Sequence, residues 1–223
     1  MPNRVRPPRQ ARSIASTDRM LTAAEALFAA GGAEAVTVEA VVRTAKTSVG
    51  SFYARFTDRE GLLIAMHGRF LERLRTEAAG AIAAAAGQPS LARAVAAFVK
   101  HALPAAVRNR ESILFFVATS ATDTPLRQEG LAANPGFAAA FVAALSPHRA
   151  EIAHAKPDQA LDVAFRIFFA MFVQRALFTP EEATGRSLSD TALAEEIANC
   201  VVAYLSRPPR DRESGVTRAR GGR

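Results

Sequence analysis

The stretch from residue 37 to 63, TVEAVVRTAKTSVGSFYARFTDREGLL, constrains the fold more than any other part of the chain. Thr37 is placed to cap a short helix over 38–44, residues 45–47 make a tight turn, and Ser48 caps a second short helix running to Phe56. The expected result is two short helices at a sharp angle, a helix-turn-helix. Phe52 and Phe56 lie four apart in the second helix and share a buried face, which leaves Val49, Gly50, Ser51, Tyr53 and Ala54 outside. An outward face of such small side chains lets the backbone come close to the floor of a DNA groove, most of all at Gly50. The Tyr53 hydroxyl and the Arg55 guanidinium suit phosphate oxygens.

This segment resembles the tetracycline-repressor (TetR) family, whose pattern is a Thr-led helix, an Ala-Gly-Val turn, Ser-x-Gly-x-x-Tyr, an aromatic, and a helix opened by Lys-Glu-x-Leu. Ser48, Gly50, Tyr53 and Phe56 stand at the family's positions, Glu60 and Leu62 follow, and Arg59 takes the place of the Lys. Lys46 stands where the turn Gly is usual, at a position that often needs positive φ and where a non-glycine residue costs on the order of 1 kcal/mol. Thr47 replaces Val, and Arg55 replaces a frequent His or Tyr. The resemblance implies a DNA-binding set of Thr37, Lys46, Thr47, Ser48, Val49, Gly50, Ser51, Tyr53, Ala54, Arg55 and Arg59, with Tyr53 and Arg59 on the phosphate backbone. The plainer alternative is a helical hairpin in an ordinary core. The agreement in register of caps, turn, glycine, tyrosine and the next helix start favours the DNA reading.

The formal charge is +7, but residues 1–12 carry four Arg and no acid, and residues 207–223 carry six Arg against Asp211 and Glu213. Each end therefore contributes +4 and the middle is near neutral. Both ends are rich in Pro and Gly and lack apolar periodicity, so disordered basic arms are expected over 1–12 and 207–223. Such arms can follow phosphates, or serve only as solubilising tails. Between them lie an expected helix-turn-helix domain over 13–57 and a second helical domain over 58–206. The single cysteine, Cys200, excludes an intrachain disulfide and suits a reducing cytoplasm. The basic start has no apolar region behind it, so no signal peptide is expected. The most apolar run, 160–178, is interrupted by Asp162, Arg166, Gln174 and Arg175, so no membrane span is expected either.

The rest of the chain reads as helix after helix, an all-α fold. Ser16 or Thr17 is expected to start the first helix and Gly31-Gly32 to end it. Thr57-x-x-Glu60 has capping-box spacing for a long helix ending near Gly87 and Pro89. Further helices are expected at about 90–108 with Pro104 inside, 110–122, 125–133, 136–145, 157–178 and 189–206. The helix at 157–178 is apolar around most of its circumference and needs neighbours on two sides. One is the helix at 189–206 with Leu193, Ile197, Val201 and Leu205 at i+4 spacing. The other is either a second copy of the pair, making a four-helix homodimer interface, or more of the same subunit. In the resembled family the last two helices make that interface, which would set two recognition helices about one DNA turn (~34 Å) apart.

Phenylalanines are dense after residue 90. Most fill a core, but the resemblance implies an apolar cavity for a small molecule, with a few polar groups to orient it. The candidate ligand-binding set is His101, Phe115, Phe116, Ser120, Phe137, Phe141, Arg166 and Phe169, with Arg108 and Gln174 as further polar candidates. His67, His101, His148 and His154 share no metal-ligand spacing, and no nucleophile-elbow, Walker or dinucleotide pattern is present, so neither metal, cofactor nor catalysis is expected. The expectation is a homodimeric cytoplasmic transcription regulator, a repressor released from a palindromic operator by a small apolar ligand. Its alternatives are a helix-turn-helix regulator that activates or works without ligand, and a helical binding protein or enzyme with no DNA role.

Overall fold

The computed structural model describes residues 11–119 and 124–208, so most of the two basic arms and Ser120 lie outside the described residues. Among the described residues ten α-helices follow one another without a strand: α1 (Ala11–Ala35), α2 (Val38–Thr44), α3 (Val49–Arg55), α4 (Arg59–Ala85), α5 (Leu91–Arg108), α6 (Arg110–Thr119), α7 (Thr124–Leu145), α8 (Pro157–Leu177), α9 (Pro180–Thr184) and α10 (Asp190–Leu205). A 3-10 turn (Ser146–Glu151) follows α7.

Local chemistry explains most boundaries. Thr37 Oγ1 accepts from Ala40 N at the start of α2, and Ser48 Oγ accepts from Ser51 N at the start of α3. The helical path of α1 breaks at Gly31 and Gly32, the latter with φ 68° and ψ −166°, a conformation that only glycine enters easily. Three expectations need correction. First, α1 begins before Ser16, and Thr17 is an interior residue whose hydroxyl donates back to Ser13 O at 2.9 Å. Second, the cap of α4 is Asp58, whose Oδ1 accepts from Gly61 N at 2.8 Å, one residue beyond the expected Thr57. Third, the two helices expected at 125–133 and 136–145 are the single helix α7. Pro135 removes the bond to the carbonyl of Leu131, but Leu131 and Pro135 are both exposed, so water can serve that carbonyl and the helix continues.

Two buried clusters divide the molecule along α4. The first joins α1–α3 and the N-terminal half of α4 with Phe115 and Phe116 of α6 and Leu126 of α7. The second joins Ala81 and Ala85 of α4 with α5, the C-terminal half of α7, α8 and α10. Helix α4 is thus a beam shared by both. The apolar α8 finds its neighbours largely within the chain, in α5, α6, α7 and α10, and buries Phe165 and Phe168 there. The stripe Ile197, Val201 and Leu205 of α10 is likewise buried inside the subunit, against α5 and α8. By length and composition the described segment apolar enough to cross a bilayer is Leu126–Glu151, with mean hydropathy 1.2, rather than the 160–178 run. In this fold its Phe141, Ala144 and Leu145 are core residues.

The start of α5 is held by a long-range cap. Glu151 Oε2 accepts from Leu91 N at 2.9 Å while its Oε1 pairs with His148 Nδ1 at 2.8 Å. The Leu91 N–H, and then His148, hold the Glu151 carboxyl below the usual carboxylate range.

Candidate nucleic-acid interface and ligand cavity

The hairpin of α2 and α3 presents the face that its sequence spacing predicts. Phe52 and Phe56 are fully buried, while Val49 and Tyr53 are about half exposed, at 48% and 49%, and Gly50 and Ala54 are exposed beside them. Tyr53 meets Phe52 edge-on at 5.4 Å, which holds its ring against the helix. The turn is left-handed at Lys46, with φ 50°, the only non-glycine residue with positive φ among the described residues. It is braced by α1, whose Arg19 Nε donates to Ala45 O at 3.3 Å and whose Ser16 hydroxyl lies 3.3 Å from that of Thr47. Lys46 itself is exposed.

Two arginines behave differently from the rest of this face. Arg59, expected at DNA phosphates, turns inward: its Nε donates to Val36 O at 2.7 Å and its Nη2 to Ala33 O at 2.5 Å. It thereby fastens the first turn of α4 to the link between α1 and α2. Arg55 has Nε and Nη1 buried without a hydrogen-bond partner, and burial lowers its pKa from the ordinary guanidinium value.

An apolar cavity of about 260 Å³ opens between α4, α6, α7 and α8, walled by Leu74, Phe116, Phe137, Phe169 and Phe172, with His67, Arg127 and Asn134 as its polar lining. A small apolar recess adjoins it through Leu74, Phe137, Phe169 and Phe172. A larger cavity of about 340 Å³ lies on the other side of α6 against α1, but it is edged by Arg73, Arg108, Arg110, Glu25 and Glu111. Several of those charges are already paired, Arg73 with Glu25 at 2.7 Å and Arg108 with Glu77 at 2.8 Å. The apolar cavity therefore fits an apolar ligand better than the larger, polar one.

The sequence profile of "Bacterial regulatory proteins, tetR family" matches residues 20–66, the span from α1 into α4 that builds the hairpin. Its helix-turn-helix region belongs to the tetR family. The whole fold agrees with solved TetR-family structures. A protein described as a TetR-family transcriptional regulator from Mesorhizobium loti is 18% identical with a TM-score of 0.64, over 88% of this chain and 98% of that one. Another from a Rhodococcus species is 18% identical with a TM-score of 0.60, over 86% and 99%. A ketosteroid transcriptional regulator of Mycobacterium tuberculosis is 17% identical with a TM-score of 0.56, over 92% and 100%. No curated protein sequence matches this chain.

In this fold the expected ligand set is dispersed. Phe116, Phe137 and Phe169 line the apolar cavity, whereas Phe115 faces the polar one across α6. Phe141 is fully buried against Phe98, Phe165 and Phe168, a core residue away from the lining. His101 is exposed, lying over Gly80, where an added Cβ would come within 2.4 Å of its Nε2. Arg166 is exposed and paired with Asp162 at 2.9 Å, one turn earlier in α8. Sequence reasoning passed over His67 as a histidine without metal spacing. The signal was present: it falls at i+4 from Leu63 and i−4 from Leu71 on the buried side of α4, where a polar residue calls for a reason.

Proposed function

We propose that this protein is a homodimeric, sequence-specific DNA-binding transcription regulator, a repressor released from a palindromic operator by a small apolar ligand, acting in the cytoplasm and without catalysis of its own. The observation that carries the reading is the α3 surface: Phe52 and Phe56 anchor the helix inward, and Val49, Gly50, Tyr53 and Ala54 leave a low outward ridge beside Lys46. That ridge fits the major groove. Val49, Ser51 and Ala54 face base edges, while Tyr53, Lys46 and Arg55 meet phosphates. Thr37, Thr47 and Ser48 position the hairpin and offer hydroxyls to the backbone, and Arg59 holds its frame.

Dimerisation is supported by what α8 and α10 leave uncovered. Ile167 and Met171 of α8 and Leu193 and Val202 of α10 are only half buried, and Phe178 and Leu188 beyond them are exposed at 45% and 41%. A second copy packed on this face would bury them and set two α3 helices about one DNA turn (~34 Å) apart.

The link from cavity to DNA runs through α6. Phe116 lines the cavity, and its neighbour Phe115 packs on Phe28 of α1 with ring centroids 4.4 Å apart. A ligand that moves Phe116 displaces a contact of the DNA-binding cluster, while α4, which lines the cavity with Leu74 and frames the hairpin with Arg59, carries the same change. A hundredfold loss of DNA affinity needs a difference of about 2.7 kcal/mol in ligand affinity between the two states. The test is mobility shift of duplex DNA with wild-type protein and Tyr53→Phe. A several-fold loss independent of sequence supports the assignment, and unchanged affinity removes Tyr53 from the contact set.

A further inference from the structure

We infer that the apolar cavity takes a small phenol, its ring lying among the aromatic walls and its hydroxyl donating to Nε2 of His67. This deepens the ligand reading given above and rests on it.

His67 is only 3% exposed, and of the buried polar residues described, Thr17, His67 and Arg175, it alone lines the cavity. Its Nδ1 lies 2.9 Å from Glu129 Oε2. A carboxylate oxygen accepts, so Nδ1 carries a proton, and in the neutral ring Nε2 then presents a lone pair. Among the described residues Nε2 has no hydrogen-bond partner. On α7 a Cβ added at Gly130 would stand 3.7 Å from Nε2, in ordinary contact, so the glycine leaves space beside that nitrogen. An acceptor fixed by a second residue and open to the cavity can take an O–H from a bound molecule.

The walls set the rest of the ligand. Phe116 packs on His67 at 4.2 Å and on Phe70 at 5.3 Å with only 20° between the two phenyl planes, so this side of the cavity is a layered aromatic surface suited to a flat ring. Phe137, Phe169 and Phe172 line its other sides. About 260 Å³ lies just under the range of roughly 300–1,000 Å³ usual for ligand sites, which points to one or two rings rather than a long chain. Arg127 is exposed at the lining and would favour an acid instead, so an acid is the rival that the test must include.

The test is calorimetric titration of the full chain with 2-naphthol, 2-methoxynaphthalene and 2-naphthoate, repeated on His67→Phe after its helical content has been checked. Wild type is expected to bind naphthol at least tenfold more tightly than the methyl ether, and His67→Phe to bind the two alike. Equal affinity of wild type for naphthol and the ether, or no binding of any of the three, overturns the inference without need of the variant. So does a preference for naphthoate, which assigns the cavity to an anion at Arg127. Operator release is measured separately by mobility shift: naphthol bound through His67 with DNA retained upholds the phenol site and refutes induction.

Discussion

Replacing Lys46 with glycine should make the protein more stable and a weaker DNA binder, and the two effects can be separated. Lys46 holds φ 50° in the turn between α2 and α3. A side chain there brings Cβ against the backbone at roughly 1–2 kcal/mol. Glycine removes that strain but frees the unfolded chain, which returns roughly 0.5–1 kcal/mol. The net gain is about 0.5–1 kcal/mol, or roughly 1–4 °C in Tm for a chain of this size. The Lys46 side chain is exposed, so little packing is lost. Lys46→Ala is the control, because it removes the same charge and keeps the Cβ. Both variants should lower the slope of log affinity against log salt by about 0.9, the signature of one lost phosphate contact. Only the glycine variant should melt higher than wild type. Scanning calorimetry and salt-dependent DNA titration read the two quantities. A glycine variant melting at or below the alanine variant would refute the strain argument.

Other substitutions divide surface from frame. At Gly50 an added Cβ meets only Ser48 Oγ at 3.9 Å, so Gly50→Ala should fold normally, gain roughly 0.5–1 kcal/mol of stability and yet lose tenfold or more in DNA affinity; an undiminished mobility shift would deny α3 its approach to the groove. Arg59→Ala strips the donors from Val36 O and Ala33 O and should lower stability by about 2 kcal/mol in chemical denaturation; a change in DNA salt slope with no loss of stability would return Arg59 to the phosphate set. Glu151→Ala should lower Tm near neutral pH by taking the acceptor from Leu91 N at the start of α5, with the Ser90 cap left in place. Because the folded carboxyl sits below its unfolded value, that contribution is whole above the ordinary carboxylate pKa and disappears as pH falls through the depressed one, so wild type and variant should converge in acid. A pH-independent difference would show that the carboxylate charge is irrelevant.

The hairpin was legible because its chemistry is local. Thr37 and Ser48 cap within three residues of themselves, and the Phe52–Phe56 spacing decides which side of α3 faces in. The cap of α4 moved by one residue because Thr57 and Asp58 both satisfy the sequence rule, and the carboxylate is both the stronger cap and the better match to a helix N-terminus. Pro135 looked like a break, since nothing in the sequence says that the carbonyl of Leu131 faces water. The cavity was the least legible part. Phe116, Phe137 and Phe169 come from three helices that only the packing brings together, and Phe141, of the same residue type and on the same helix as Phe137, points into the core instead. Arg59 and Arg55 carry the same charge on neighbouring elements, yet one finds two backbone carbonyls and the other none, a difference set by the path of the chain at residues 33–36.

The central claim is sequence-specific binding of duplex DNA by paired α3 helices. Its most direct test is selection of bound duplexes from a random library by the purified full chain, read by sequencing. The expected result is enrichment of a palindrome whose half-sites lie about one helical turn apart, abolished by Gly50→Ala. Failure to enrich any sequence at low salt would contradict it.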